Sequence, residues 1–286
     1  MKPGIALITG CSTGIGRELA QQLAREGWTV YAGARRPEAL QSLASDRLRP
    51  VRLDVNDAEQ IAACLARIEQ EAGRLDLLVN NAGYGAMGPV VEMPLEQVRR
   101  QFETNVFAPL ALVQAALPLL ARERGSLVVN IGSISGVLTT PFSGAYCATK
   151  AALHSLSDAL RMELAPFGVR VLTVQPGAIQ SEFGNNAQRN LAATLPASSR
   201  YEPLRPYIEA RAQASQQGST PTEAFVRELV RTIGQDSPPA VKRIGKGSTA
   251  FLLLKRLLPT RVLDRLLSRK FGLAGFTADA TNRAPA

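Results

Sequence analysis

Residues 4–27 read GIALITGCSTGIGRELAQQLAREG, and they decide the fold. Residues 4–9 form an apolar run short enough for a buried strand, and residues 17–27 carry a helical pattern that stops at Gly27. Between them, Thr9 to Gly16 hold three glycines spaced Gly10, Gly14, Gly16. Glycines let a chain turn tightly and bring its backbone N–H groups against an anion at a helix N-terminus, where the dipole favours negative charge. A tight turn with a close helix crossing would use the same residues. The order strand, glycine turn, helix is what a dinucleotide-binding unit requires.

The same alternation continues outward. Strand-like runs fall at 28–33 (WTVYAG), 51–55 (VRLDV), 75–83 (LDLLVNNAG), 126–133 (SLVVNIGS) and 169–177 (VRVLTVQPG). Helical patterns lie between them at 37–45, 57–73, 94–122 and 145–168, with a further helix at 221–234 and a last edge strand at 238–245. Alternation without hairpin signals predicts an α/β chain: a Rossmann-type, doubly wound parallel sheet of about seven strands flanked by helices. Ligands bind such sheets at the strand C-terminal ends. The non-periodic polar motifs all fall there: Gly10 to Gly16, Asp54, Asn80 to Gly83, Ser133, and Pro176 to Ser181.

Composition narrows the chemistry. Three isolated cysteines give no disulfide framework and no cysteine zinc site. A single histidine, His154, removes two-histidine zinc motifs, and as the fifth residue of a helical run past Lys150 it reads as packing or surface. No metal site is expected. MKPGIALITG is too short for a secretory apolar core, and no run of eighteen apolar residues occurs, so a cytoplasmic location without a membrane span is expected.

The net charge of +9 is concentrated late: residues 240–272 hold nine basic residues against Asp264 alone. The expected organisation is one catalytic domain over residues 1–245, with a lid-like insertion at about 180–218, followed by a basic amphipathic helical extension and tail over 246–286. The extension, especially 249–271, suits peripheral contact with an anionic membrane, a cover over the substrate cleft, or a partner subunit. Nucleic-acid binding is disfavoured, because no aromatic platform or recognition helix accompanies the charge.

GAYCATK, residues 144–150, places Tyr146 and Lys150 four apart on one helix face. A phenol beside a cation has its proton made more available, which suits a general acid that protonates an oxygen gaining negative charge. Ser133, thirteen residues earlier at a strand end, is the candidate anchor for that oxygen, with Ser135 the fallback.

These motifs together, TGCSTGIG, LDV, NNAG at 80–83, Asn105, Ser133, YCATK and PG at 176–177, resemble the short-chain dehydrogenase/reductase family over about residues 4–245. The glycine motif, the second-strand arginine and the tail also look like its 17-beta-hydroxysteroid dehydrogenase-like branch. The resemblance implies a catalytic set of Asn105, Ser133, Tyr146 and Lys150, with Asn105 supporting a water that links Lys150 to solvent. It implies cofactor contacts from Gly10, Ser12, Thr13, Gly14, Ile15 and Gly16, from Asp54 and Val55, and from Asn81, Ala82 and Gly83. Tyr146 and Lys150 join them on the nicotinamide side, with Pro176, Gly177, Ile179 and Ser181; Ser181 replaces the usual threonine.

Asp54 could instead cap the next helix. At the end of the second strand Arg35 and Arg36 stand where an acid would select NAD, which favours NADP(H); either arginine could also cap a solvated edge. The implied reaction is hydride transfer between the nicotinamide and a carbonyl or secondary alcohol of an apolar substrate, a steroid, retinoid or acyl ketone. A homodimer or homotetramer through the helices over 94–122 and 146–167 is expected. The competing reading is a cofactor-binding sensor or membrane-recruited scaffold with little turnover.

Overall fold

The apolar runs become one sheet in the computed structural model, which describes residues 2–196 and 198–277. The strands are β1 (Ile5–Ile8), β2 (Thr29–Ala34), β3 (Leu48–Arg52), β4 (Leu77–Asn80), β5 (Leu127–Ile131), β6 (Arg170–Pro176) and β7 (Val241–Ile244). All pair in parallel, in the order β3-β2-β1-β4-β5-β6-β7. The direction of winding reverses between β1 and β4, so a crevice opens at their C-terminal ends.

Parallel strands need covering on both faces, and alternate residues supply the cover. Ala6, Ile8, Val30 and Ala32 face a core shared with α1 (Gly14–Arg25) and α9 (Thr222–Ile233). Leu7, Tyr31, Leu78 and Val128 face the other, with α2 (Ala58–Ala72), α4 (Ala108–Leu120) and α5 (Gly144–Glu163). The stretch Leu95–Leu120, which runs from α3 (Leu95–Phe102) into α4, has mean hydropathy 1.3 over its most apolar window, enough by composition to cross a membrane. Half of that window is buried inside the fold, where Leu112, Val113, Ala116 and Leu120 pack on the sheet side.

Three local readings need correction. The third strand covers 48–52 rather than 51–55, and contains Pro50, which an edge strand tolerates because its missing N–H faces no neighbour. The cap of α2 is Asp57, whose carboxylate accepts from the Glu59 and Gln60 N–H groups at 3.0 and 3.1 Å; Asp54 is not the cap. The helix expected over 94–122 is interrupted by a π-helical turn, Glu103–Phe107. Pro109 has no N–H to give the Asn105 carbonyl, so the regular pattern breaks there, and π turns of this kind concentrate at functional sites.

Residues 180–218 fold into α6 (Phe183–Arg189), α7 (Leu191–Thr194) and α8 (Arg205–Ala212) around a separate apolar cluster with Met87, Phe142 and Phe271. α10 (Ser248–Leu257) and α11 (Thr260–Lys270) follow β7, and the Gly245–Gly247 turn is tied back to β6 by the Ala178 N–H donating to the Lys246 carbonyl at 3.0 Å. Leu263, Leu267 and Phe271 turn inward against the lid. Leu253, Leu257 and Val262 stay exposed beside the basic side chains. Residues 278–286 of the expected tail lie outside the described residues.

Candidate active site

The first βα turn builds one end of the crevice. Gly10 and Gly14 have φ of +70° and +60°, a region that other residues reach only with strain. A Cβ on Gly16 would lie 2.5 Å from Asn81 Nδ2 and 2.6 Å from the Gly10 carbonyl oxygen, so only glycine lets α1 approach. The first turn of α1 carries no side-chain cap and no acid, leaving its N–H groups open to an anion. Asn81 fixes the turn by donating from Nδ2 to the carbonyls of Thr9 (2.8 Å) and Gly10 (3.2 Å). Thr9, which sequence reasoning had not singled out, accepts at its hydroxyl from the Asn81 and Ala82 N–H groups at 3.0 Å each. A threonine ending a buried strand carries no periodic signal that would reveal this.

A cleft of about 1480 Å³ runs from this turn along the C-terminal edge of the sheet and under the lid. Every site residue expected from the sequence lines it except Gly16, Arg36 and Asn105. Gly16 lies behind the turn, Arg36 is exposed outside, and Asn105 is buried behind the loop at Gly83 and Tyr84.

Tyr146, Ser133 and Lys150 meet at the middle of the cleft. Ser133 ends β5, and its hydroxyl hydrogen-bonds the Tyr146 phenol and accepts from the Ser135 N–H at 3.1 Å. The Ser135 backbone thus helps hold the Ser133 hydroxyl, and Ser135 lines the same cleft. Lys150 donates from Nζ to the Ile131 carbonyl at 2.7 Å and sits 6.0 Å from the Tyr146 ring centre. Asn105, on the π turn, accepts from the Tyr84 N–H at 3.1 Å and donates to the Tyr84 carbonyl (2.9 Å) and the Thr149 hydroxyl (3.1 Å). Its side chain joins the loop after β4 to the helix that carries the Tyr146 and Lys150 pair.

Burial governs the electrostatics. It pushes the Tyr146 phenol up to about 12, against the lowering effects of the Ser133 hydrogen bond and the nearby Arg211 charge. The expected lowering by Lys150 does not dominate, because that ammonium points to the Ile131 carbonyl. Burial also lowers Lys150 to about 8. The phenol is therefore a proton-bearing acid at neutral pH, with a largely charged ammonium nearby.

The short chain dehydrogenase family profile matches residues 4–192. The chain belongs to the short-chain dehydrogenase family. A short-chain dehydrogenase/reductase of Pestalotiopsis microspora is 35% identical over 271 residues, 93% of each chain. The NADPH-dependent 1-acyldihydroxyacetone phosphate reductase of Saccharomyces cerevisiae is 32% identical over 278 residues, covering 94% of this chain and 91% of that protein. Among solved structures, a short chain dehydrogenase from Burkholderia cenocepacia in complex with NADP superposes with TM-score 0.73 at 26% identity, covering 93% of this chain and 98% of that one. A Burkholderia phymatum short chain dehydrogenase/reductase in complex with NAD gives 0.77 at 25% identity, covering 93% and 95%.

Within this short-chain dehydrogenase, His154 has a place that its sequence position concealed. Its Nε2 accepts from the Ser133 N–H at 3.3 Å, and a Cβ on Gly132 or Gly136 would come within 2.3 or 2.5 Å of its ring. Burial, then the Lys150 charge, lowers it to about 4, so the imidazole stays neutral and keeps its acceptor. His154→Leu removes that acceptor and frees Ser133 to shift. Turnover is expected to fall on the order of tenfold to a hundredfold, since small misplacements at a reacting centre cost that much. His154→Gln should recover part of it, and the wild-type rate profile should show no histidine limb between pH 5 and 8. A limb near 6 that vanishes in both variants would contradict a neutral His154.

Proposed function

We propose that this protein is an NADP(H)-dependent carbonyl reductase, acting on the carbonyl of an apolar substrate such as a steroid, a retinoid or an acyl ketone. The observation that carries the reading is the convergence of Tyr146, Ser133 and Lys150 in the same cleft as the open N-terminus of α1. The glycine turn and the uncapped N–H groups fit a pyrophosphate. When bound, the nicotinamide supplies or accepts the hydride. Tyr146 gives its proton to the carbonyl oxygen, the Ser133 hydroxyl donates a hydrogen bond to that oxygen, and Lys150 stabilises the negative charge and holds ribose hydroxyls.

Arg35 lines the cleft next to Ala34, and Ala34, Arg35 and Arg36 stand where an acid at the end of β2 would select NAD, an arrangement suited to a 2′-phosphate. The yeast relative, an NADPH-dependent reductase, supports the same choice. A homo-oligomer through α3, α4 and α5, a cytoplasmic location, and peripheral membrane contact through 249–271 stay with this proposal, the last supported by exposed Leu253, Leu257 and Val262. A scaffold without turnover has no use for the buried Ser133, Tyr146 and Lys150 cluster, and nothing observed favours it.

The test follows nicotinamide absorbance with NADPH or NADH and a panel of apolar ketones. NADPH consumption with at least one class is the expected result; tight cofactor binding with no turnover on any ketone would overturn the reading. Arg35→Asp should weaken NADPH by roughly tenfold to a hundredfold through loss of a charge-assisted hydrogen bond, and improve NADH relative to it. An unchanged NADPH to NADH ratio would remove Arg35 from cofactor selection.

A further inference from the structure

Arg211 is the cation on the lid's side of the cleft that, among the described residues, has no ion pair with an acid although its neighbour on the same helix, Arg205, has one. α8 buries Ile208 and Ala212 in the lid's apolar cluster, and this places Arg211 on the wall of the cleft. Arg211 is half-buried on that wall, and its Nε donates to the Thr140 hydroxyl at 2.7 Å. Thr140 is in turn bonded to Ser143 at 2.9 Å, immediately before α5 and three residues before Tyr146. The side chain is therefore anchored at the start of α5, beside Tyr146.

Other lid arginines show what this one lacks. Arg205 pairs with Glu202 at 2.7 Å and Arg189 with Glu182 at 3.8 Å, both at the surface. Among the described residues no carboxylate lies within ion-pair reach of Arg211, and its partners in the protein are the Thr140 hydroxyl and the Cys147 side chain. A guanidinium cannot escape burial by losing its proton, so a half-buried one with no carboxylate beside it carries a desolvation cost. Tyr146 does not supply the countercharge, since burial keeps its phenol protonated. The cleft wall under the lid carries an apolar stretch, Phe183 from the lid and Leu263, Leu266, Leu267 and Phe271 from the C-terminal helices, beside polar residues that include Asn186, Arg189, Asn190 and Lys270.

We propose that Arg211 forms an oxyanion-binding subsite beside Tyr146, so that the substrate is an apolar chain whose reacting carbonyl lies within a few bonds of a carboxylate or phosphate monoester. This deepens the carbonyl-reductase reading and rests on it. The planar guanidinium suits both anions through two parallel hydrogen bonds, while the apolar stretch takes the chain.

Two measurements on the full chain with saturating NADP(H) separate this proposal from its parent. The first compares kcat/KM for matched ketones: a long-chain 3-oxo acid against its methyl ester, and a long-chain hydroxyketone phosphate against the free hydroxyketone. The anionic member of at least one pair should be preferred by roughly tenfold to a hundredfold, mostly through KM, and the preferred pair identifies the anion. The preference should collapse toward unity in Arg211→Met and recover in part in Arg211→Lys.

The second measurement is thermal stabilisation by octanoate and octyl phosphate against octanol. Wild type should be stabilised by an anionic probe more than by the alcohol, and Arg211→Met should lose the difference while melting no lower than wild type without ligand. Anionic stabilisation dependent on Arg211, with no ketone reduced, would keep the subsite and overturn the reductase reading. Ketone reduction with equal preference for charged and neutral members in wild type, or the same preference in Arg211→Met, would keep the reductase and overturn the subsite. A strongly lowered melting point in both Arg211 variants would make the arginine a structural strut and overturn it equally.

Discussion

Replacing Tyr146 with phenylalanine is expected to lower ketone reduction about a thousandfold, within the range typical for loss of a positioned general acid. The ring is 7% exposed and packs against Phe183, with ring centres 5.3 Å apart, so phenylalanine fills the same space and the fold persists. What disappears is the proton donor. Burial holds the phenol at about 12, so the wild-type acid is fully protonated at neutral pH and its own titration should not limit reduction below pH 10. NADPH affinity, measured by fluorescence of the bound nicotinamide, should change far less than turnover, because the substitution removes one hydroxyl from a long contact surface. Retention of more than a tenth of wild-type turnover would show that another group protonates the substrate.

The fold was legible because its elements announce themselves locally. Each central strand is an apolar run ended by a polar or glycine motif, and a parallel sheet places those endings on one edge. Gly10 and Asn81 are 71 positions apart, yet both are recognisable from their own short motifs. Asn105 was legible as a motif, but the π turn that presents it depends on Pro109 breaking a helical pattern that otherwise runs on unbroken to Leu120.

What stayed hidden is what depends on distant partners. The lid reads as a weakening pattern because its helices are short, and their few apolar residues pool with the distant Met87, Phe142 and Phe271 in one cluster instead of repeating over a long helical period. His154 looked like an ordinary helix position because its partner, the Ser133 N–H, is 21 residues away across the sheet edge. Arg211 was one basic residue among many; its meaning comes from its place on the cleft wall beside Tyr146 and from the absence of an ion pair there among the described residues, neither of which is a sequence property. The amphipathic C-terminal helices gave three candidate surfaces; Leu263, Leu267 and Phe271 turn toward the cleft, while Leu253, Leu257 and Val262 of the same helices stay exposed.

Lys150→Met should separate activity from stability in opposite directions. Turnover is expected to fall on the order of a thousandfold, because the ammonium beside Tyr146 and its contacts to the cofactor are lost together. Stability at pH 7 should rise. Lys150 is 5% exposed, and burial lowers its ammonium from the usual 10.5 to about 8. Below pH 8 the lysine is charged in both folded and unfolded chains, and the folded state carries the whole desolvation cost, roughly 3 kcal/mol for a depression of this size. Between pH 8 and 10.5 the unfolded chain binds a proton that the folded one does not, so wild-type stability climbs with pH through that window.

The methionine variant carries no such cost, although it loses the 2.7 Å bond to the Ile131 carbonyl, which offsets part of the gain. Its advantage in urea midpoint should therefore be largest at pH 7 and shrink toward pH 10. Wild-type reduction should decline above pH 8 as the ammonium is lost, the same titration seen from the side of catalysis. A variant less stable than wild type at pH 7 would mean that the hydrogen bond to Ile131 outweighs the burial of the charge. An advantage independent of pH would show that Lys150 does not titrate near 8.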